Sequence, residues 1–245
     1  MNKIFLSIIL PAHNEAQRLP ESLDKIQNFI EAEQLDCEVL LVENASTDDT
    51  LKIARDRQES FPQLEVLSLD QPGKGNAIRT GMLRARGDYR FMADVDLSMP
   101  IEELRKFLPP ALDDPQVAIA SREQPGSKRI GEPFYRHIIG RVFNLLVRIL
   151  VLPSIQDTQC GFKCFSAEAA ESVFSAQTMD GWSFDVEALA IARNLGYRIT
   201  EVPITWYYKP GSRLHIVKDS WRMFRELLQI RRNMRKRCPK DSVPE

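Results

Sequence analysis

The sequence predicts an α/β fold in which a mainly parallel central sheet carries helices on both faces. Three observations lead there. Through the first 120 residues, apolar runs of four to six residues alternate with longer stretches of helical apolar spacing. The connections between them are short, as in βαβ units. Each apolar run also ends in polar or charged residues, at the carboxyl ends of strands, where open α/β sheets bind ligands.

Taken in order, residues 5–10 are the first apolar run, and 16–33 have helical spacing. Residues 38–42 are apolar again, and 48–57 read as a helix with Thr47 or Asp48 as its N-cap. Strand 64–69 precedes helix 75–85, strand 89–93 precedes helix 101–112, and 117–120 closes the series. The strand ends are Asn14 and Glu15, Glu43 to Ser46, Asp70 to Lys74, Asp94 to Ser98, and Arg122. Beyond residue 121 the rhythm changes. Residues 123–133 form a Gly/Pro/charge-rich loop, 135–152 a helix whose charges are all arginine, and 158–165 an extended stretch. Helices are expected over 167–175 and 184–194, a strand over 199–204, and a basic amphipathic helix over 216–237. The expected organisation is one domain over 1–213, with halves 1–121 and 122–213, followed by a basic helix and tail over 214–245.

The chain has 245 residues, 43% hydrophobic and 27% charged, enough for a real core, which excludes a disordered, fibrous or disulfide-stapled chain. Its four cysteines make no C-x-x-C pair and no zinc quartet, so reduced thiols in a cytoplasmic setting are expected. Uncharged runs reach about ten residues, short of the roughly 20 that span a bilayer. The first apolar run ends in Pro-Ala-His-Asn and reads as a strand, not a signal peptide. Net charge is -1, but residues 1–120 hold 13 Lys and Arg against 21 Asp and Glu, whereas 213–240 hold 10 against 2. A basic tail behind an acidic front suits an anionic membrane surface and argues against nucleic acid.

Several constellations carry chemistry. Asp94-Val95-Asp96 puts two carboxylates at a strand end, able to share one hard cation with phosphate oxygens; a solvated turn is the plain alternative. Pro72-Gly73-Lys74-Gly75 opens a helix with free N–H groups and a lysine for an anion, without Walker or Rossmann spacing; a structural turn explains it equally well. Glu43 can accept from ribose or base, while Ser46 can serve as a helix cap. Residues 157–163 and 182–187 mix acid, amide, base and aromatic, with Asp185 and Glu187 suited to sugar hydroxyls or to a helix start. Arg122, Arg129, Arg136, Lys163, Lys209 and Arg213 include phosphate-binding candidates among ordinary surface charge. Helix 135–152 fits a membrane interface or a core with surface arginines, and 216–237 fits an anionic leaflet or the side of the domain.

The runs Pro11-Ala12-His13-Asn14-Glu15, Glu43-Asn44-Ala45-Ser46, Lys74-Gly75-Asn76-Ala77 and Asp94-Val95-Asp96 resemble glycosyltransferase family 2, inverting enzymes of GT-A fold. Asp157 to Lys163, Trp182 to Glu187, Glu201-Val202-Pro203 and Gly211-Ser212-Arg213 resemble its dolichyl-phosphate β-glucosyltransferase branch, a polyprenyl-phosphate glycosyltransferase. The resemblance implies transfer of a hexose, with UDP-glucose the best donor, to a polyprenyl phosphate, using Mg²⁺ or Mn²⁺. It implies that Pro11, Ala12, Asn14, Glu15 and Glu43 hold the nucleoside, with Ser46 beside them. Lys74, Gly75 and Asp94 would lie near ribose or diphosphate, with Asp96, helped by Asp94, on the metal. Arg122, Arg136, Lys163 and Arg213 would surround the phosphates, and Gln159, Trp182 and Asp185 the sugar. Asp94, Asp96, Arg122, Gln159 and Asp185 form the expected catalytic set. GDP-mannose, a UDP-N-acetylhexosamine or a soluble acceptor is the alternative within the family. Two departures stand out. The family's Asp-Asp-Gly-Ser is Glu43-Asn44-Ala45-Ser46, and the transmembrane segments of some relatives have no counterpart here, so membrane contact is expected to be peripheral, on a cytoplasmic face.

Overall fold

The aliphatic runs at residues 8–10, 39–42 and 117–120 become inner strands of the sheet, because both faces of such a strand must be covered. The computed structural model describes residues 4–209 and 216–237. In order, the elements of the first half are β1 (Leu6–Ala12), α1 (Leu19–Glu33), β2 (Cys37–Asn44), α2 (Thr50–Gln58), β3 (Leu64–Leu69), α3 (Lys74–Arg84), β4 (Tyr89–Met92), a 3₁₀ helix (Ile101–Phe107) and β5 (Val117–Ser121). The second half adds β6 (Lys128–Ile130), α4 (Phe134–Leu150), β7 (Lys163–Ser166), α5 (Ala167–Ala176), α6 (Phe184–Asn194), β8 (Ile199–Pro203), β9 (Thr205–Tyr207) and α7 (Ile216–Arg237).

Seven strands form one sheet in the order β3-β2-β1-β4-β7-β5-β8. All run parallel except β7, which is antiparallel to both β4 and β5. Alternation along the strands sorts the core into two layers. Ile8, Leu10, Val39 and Leu41 face α1 and the 3₁₀ helix, while Ile9, Leu40 and Val42 face α3, α5 and α6. The expected mainly parallel α/β sheet with helices on both faces is what the chain forms.

Three local expectations differ from the structure. The helix expected over 101–112 is a shorter 3₁₀ segment, because Pro109 and Pro110 lack the N–H groups a helix would need there. The loop 123–133 contains β6, which pairs parallel with β9 in a second, two-stranded sheet. At the start of α2, Asp48 Oδ1 accepts from the Thr50 N–H (3.0 Å) and from its hydroxyl (2.5 Å), while the N-cap position falls one residue later, at Asp49.

Helix α4 stands apart. Of its 17 residues only Asn144 and Val147 are buried, while Phe134, Ile138, Val142, Leu145 and Ile149 expose 45–77% of their surface. Those five recur every three or four residues and so share one helix face. No helix among the described residues is long and apolar enough to cross a membrane. Cys37, Cys160 and Cys164 are buried free thiols, and burial pushes Cys37 and Cys160 up to about 12, which makes them core residues.

Candidate active site at the carboxyl edge of the sheet

The ends of β1, β2 and β4 meet the loops around residues 157–161 and 180–185 at a cavity of about 730 Å³. Its construction begins with backbone. Asn14 adopts a left-handed conformation (φ 51°), so its Oδ1 can accept from the Thr47 N–H (2.7 Å) while its own N–H donates to Ser46 Oγ (2.9 Å). Ser46 N–H in turn donates to Glu43 Oε1 (2.5 Å), and Ser68 Oγ to Glu43 Oε2 (2.9 Å). His13 Nδ1 donates to the Asn44 carbonyl (2.6 Å), and Gly73 N–H to Asn44 Oδ1 (2.9 Å). This lattice locks the β1, β2 and β3 ends together beneath the cavity.

Pro11, Ala12, Glu15, Lys74, Asp94, Asp96, Arg122, Arg136, Gln159, Trp182 and Asp185 line the cavity, so most of the expected set converges. Asn14, Glu43, Ser46, Gly75 and Lys163 do not line it. The first three belong to the supporting lattice. Gly75 is where α3 meets the loop before α6, since a Cβ there would lie 2.2 Å from the Met179 carbonyl oxygen. Lys163 is 1% exposed and sits behind Asp185, its Nζ 2.6 Å from Asp185 Oδ1. Arg213 lies outside the described residues.

Charge is balanced locally. Lys74 Nζ lies 2.6 Å from Asp94 Oδ1 and 5.4 Å from the centre of the Trp182 ring. Burial alone would raise the Asp94 carboxyl, yet Lys74, Lys163 and Arg122 outweigh it and hold Asp94 below the usual carboxylate range. Lys74 is the mirror case: burial would lower it, but Asp94, Asp185 and Asp96 hold it above its ordinary value. For Asp185 burial wins over the nearby lysines, and its carboxyl is pushed up. Gly161 lets Asp94 fit, because a Cβ there would stand 2.1 Å from Asp94 Oδ2.

Arg122 and Asp157 form a two-pronged pair, Nε to Oδ2 at 2.7 Å and Nη2 to Oδ1 at 2.9 Å, with the Arg122 N–H adding a third bond at 3.0 Å. Burial would raise Asp157, but Arg122 overrides it and holds the carboxyl down to about 2. Asp157 is itself placed by Glu201, whose carboxylate accepts from the Gln156 and Asp157 N–H groups at 3.1 Å. Arg129 is paired with Glu132 and Glu123. Arg136 and Lys209 form no salt bridge with a carboxylate among the described residues, although, after the hydrogen bond and charge of Lys25, the charge of Lys209 also helps lower the Glu21 carboxyl. Arg136 Nη1 instead reaches the Tyr208 hydroxyl (3.2 Å), and Lys209 Nζ the Asp96 carbonyl.

The sequence reading missed several cavity residues: Arg18, Phe143, Asn144, Trp206, Tyr208, Arg222 and Met223. Trp206 and Tyr208 carry Arg122 and Arg136 on their rings at 5.4 Å, and their spacing of two was a legible sign of a shared strand face. Glu187, a sugar-binding candidate, is fully buried and spends its carboxylate on Thr178 and Met179 N–H groups and the Thr178 hydroxyl.

The donor set suits a divalent cation of the Mg²⁺ or Mn²⁺ type. Two carboxylates two residues apart reach the same cavity, fewer than a closed protein cage needs, which suits a cation completed by phosphate oxygens. No group of three or more metal-ligating side chains occurs among the described residues.

Parallel strands ending in such a cavity, lined by carboxylates and cations, are the setting in which open α/β sheets bind phosphate-bearing ligands, and the fold is that of GT-A glycosyltransferases. The solved glucosyl-3-phosphoglycerate synthase from Mycobacterium tuberculosis, in complex with Mn²⁺, UDP-glucose and phosphoglyceric acid, superposes with a TM-score of 0.68 at 18% identity, covering 98% of this chain and 83% of that one. More particularly, the chain belongs to glycosyltransferase family 2, whose model matches residues 7–174. A dolichyl-phosphate beta-glucosyltransferase from Drosophila melanogaster is 36% identical over 92% of this chain and 74% of its own length. The Mus musculus protein of the same name is 35% identical with the same coverage.

Proposed function

We propose that this protein transfers a hexose, glucose from UDP-glucose, to a polyprenyl phosphate at a membrane surface, with inversion at the anomeric carbon. The observation that carries the reading is one cavity containing both the Asp94–Asp96 pair and two cations, Arg136 and Lys209, for which no carboxylate among the described residues forms a salt bridge. The first suits a nucleoside diphosphate, the second an acceptor phosphate. The name shared by the relatives supports glucose and dolichyl phosphate.

Residues 1–121 would bind the donor and 122–213 the acceptor. A divalent cation held by Asp96 and Asp94 would supply charge neutralisation for the departing diphosphate. Lys74, fixed by Asp94 and Trp182, adds a positive charge beside it. Arg122 is held in place by Asp157 and Trp206, so it presents charge without a cost of reorganisation. Arg136 and Lys209 would draw the acceptor phosphate into line. A phosphate monoester, with a second pKa near about 6, is mostly dianionic at neutral pH and needs no general base. Asp185, tied to Lys163, would orient the sugar hydroxyls. The exposed apolar face of α4, with Arg136, Arg141 and Arg148 on the same helix, would rest on the membrane.

The test is transfer of labelled sugar from a panel of nucleotide sugars to membrane-embedded polyprenyl phosphate, with Mg²⁺ or Mn²⁺ and an EDTA control. Metal-dependent label from UDP-glucose in the lipid phase is the expected result. Label confined to a soluble acceptor overturns the acceptor, and label from GDP-mannose overturns the donor.

A further inference from the structure

Five arginines line the cavity: Arg18, Arg122, Arg129, Arg136 and Arg222. Four of them form salt bridges, Arg18 with Glu15, Arg122 with Asp157, Arg129 with Glu123 and Glu132, and Arg222 with Glu226. Arg136 is the exception among the described residues. Its partner is a neutral side chain, Tyr208, whose ring centre lies 5.4 Å from the guanidinium carbon and whose hydroxyl accepts from Nη1 at 3.2 Å.

The difference matters for charge. A carboxylate holds an arginine in place but cancels its charge. An aromatic ring attracts the cation through its quadrupole and leaves the positive charge available to a ligand. An arginine with no partner at all would have to give up the freedom of a long side chain each time a ligand arrived. Tyr208 removes part of that loss in advance.

Tyr208 can do so because it is itself held. Residues 206 and 208 share one face of β9 and its extension. The Trp206 ring, which carries Arg122 at 5.4 Å, lies 6.1 Å from the Tyr208 ring, centre to centre. The Tyr208 N–H donates to the Ile130 carbonyl and the Tyr207 N–H to the Ser98 carbonyl, both at 2.8 Å. The strand is thus tied on one side to β6, a few residues before α4 and Arg136, and on the other to the loop that carries Asp96.

We infer that Tyr208 is a positioning residue, which presents Arg136 with its charge intact to the phosphate of the acceptor. This rests on the polyprenyl-phosphate reading above. A phosphate dianion is best met by a guanidinium that is already oriented and not already neutralised. Of the five lining arginines, Arg136 alone meets both conditions among the described residues.

The experiment is a double-mutant cycle on the full chain, with UDP-glucose as donor and polyprenyl phosphate in detergent micelles. Acceptor KM, kcat, UDP affinity and melting temperature are measured for the native protein and for Tyr208→Leu and Tyr208→Phe, each with and without Arg136→Ala. Tyr208→Leu is expected to raise the acceptor KM by about tenfold while UDP affinity is kept. Tyr208→Phe, which keeps the ring and loses the hydroxyl, is expected to raise it by about two- to threefold. With Arg136→Ala already present, neither change is expected to raise KM further, because Tyr208 acts through Arg136. A merely structural tyrosine would give the same rise in both backgrounds, and that result overturns the inference, as does a native KM for Tyr208→Leu. Loss of UDP affinity would assign Tyr208 to the placement of the Asp96 loop and also overturns it. If Tyr208→Leu melts early, the Tyr208→Phe cycle decides in the same way. In each of these cases lipid is still labelled and the polyprenyl-phosphate reading stands. Native protein that puts no label into lipid overturns that reading, and the inference with it.

Discussion

The two halves of the site are built on different principles. The proposed donor side is held by buried structure: β1 and β2 are almost wholly buried, and Ser46 bonds to both Glu43 and Asn14. The proposed acceptor side is held by charge pairs, such as Arg122 with the buried Asp157 and Arg129 with Glu123 and Glu132, and is bordered by the exposed helix α4. A nucleotide presents the same polar groups at each turnover, so a preformed floor suits it. An acceptor arriving from a membrane needs a rim that is charged where the phosphate sits and apolar where its chain lies.

The sharpest break in this comparison is at the carboxylates. Asp96→Ala is expected to reduce transfer below detection, as is EDTA, with the melting temperature little changed because Asp96 is a partly exposed loop residue. Asp185→Asn is expected to retain measurable transfer. An Asp185→Asn protein that binds both substrates but shows no turnover would show that the acceptor needs a base after all.

The Arg122–Asp157 pair tests whether the acceptor side depends on charge for its stability too. Asp157 is 2% exposed, and removing one member of a buried pair costs about 3–5 kcal/mol, so Asp157→Ala should melt well below the native protein. The pH dependence has a definite sign. With its carboxyl held down to about 2, against about 3.9 in an unfolded chain, Asp157 stabilises the fold fully above pH 4 or so, and that contribution is lost as pH falls through about 2. Thermal melts from pH 5 to pH 2 should show a steeper loss for the native protein than for Asp157→Asn.

How much of this was legible in the sequence follows the same division. The parallel strands and the converging residues Lys74, Asp94 and Asp96 were readable because strand ends in an α/β sheet are fixed by local pattern, whereas Gln159, Trp182 and Asp185 came from the resemblance to the family. Strand β7 was not. It is only four residues long, begins with the buried Lys163, and gains its place from long-range pairing with β4 and β5. Glu43 looked like a ligand because a carboxylate at a strand end usually is one; its two hydrogen bonds to Ser46 and Ser68 are tertiary facts. On α4, composition left core and interface equally open, and only the exposure of Phe134, Ile138, Val142, Leu145 and Ile149 shows that it is not a core helix.

That exposure gives a smaller, separable effect. Replacing Ile138, Val142, Leu145 and Ile149 together with serine removes apolar surface already in water, so the fold should be kept. If each side chain contributes about 1 kcal/mol by entering a bilayer, vesicle binding should weaken by on the order of a thousandfold, while UDP affinity stays as it was. Sedimentation with anionic vesicles measures the first and calorimetry the second. Unchanged vesicle binding would remove α4 from the membrane contact.

The smallest effect returns to the donor side, at Ala45. Where the family commonly has glycine, this chain has an alanine in the left-handed region, with φ 52°. An L residue with a Cβ loses roughly 1–2 kcal/mol there, and the greater freedom of an unfolded glycine offsets about half of that. Ala45→Gly should therefore stabilise the protein by about 0.5–1 kcal/mol, seen as a rise of a few degrees in melting temperature. The turn it relaxes lies between Asn44, which anchors Gly73, and Ser46, which bonds to Glu43 and Asn14, so the conformation is imposed from both sides. A stabilised variant with native donor affinity would mean that the lattice alone sets the turn. A stabilised variant with weakened UDP binding would mean that the strained alanine helps hold the nucleotide floor in shape, and that the donor side, too, depends on more than burial.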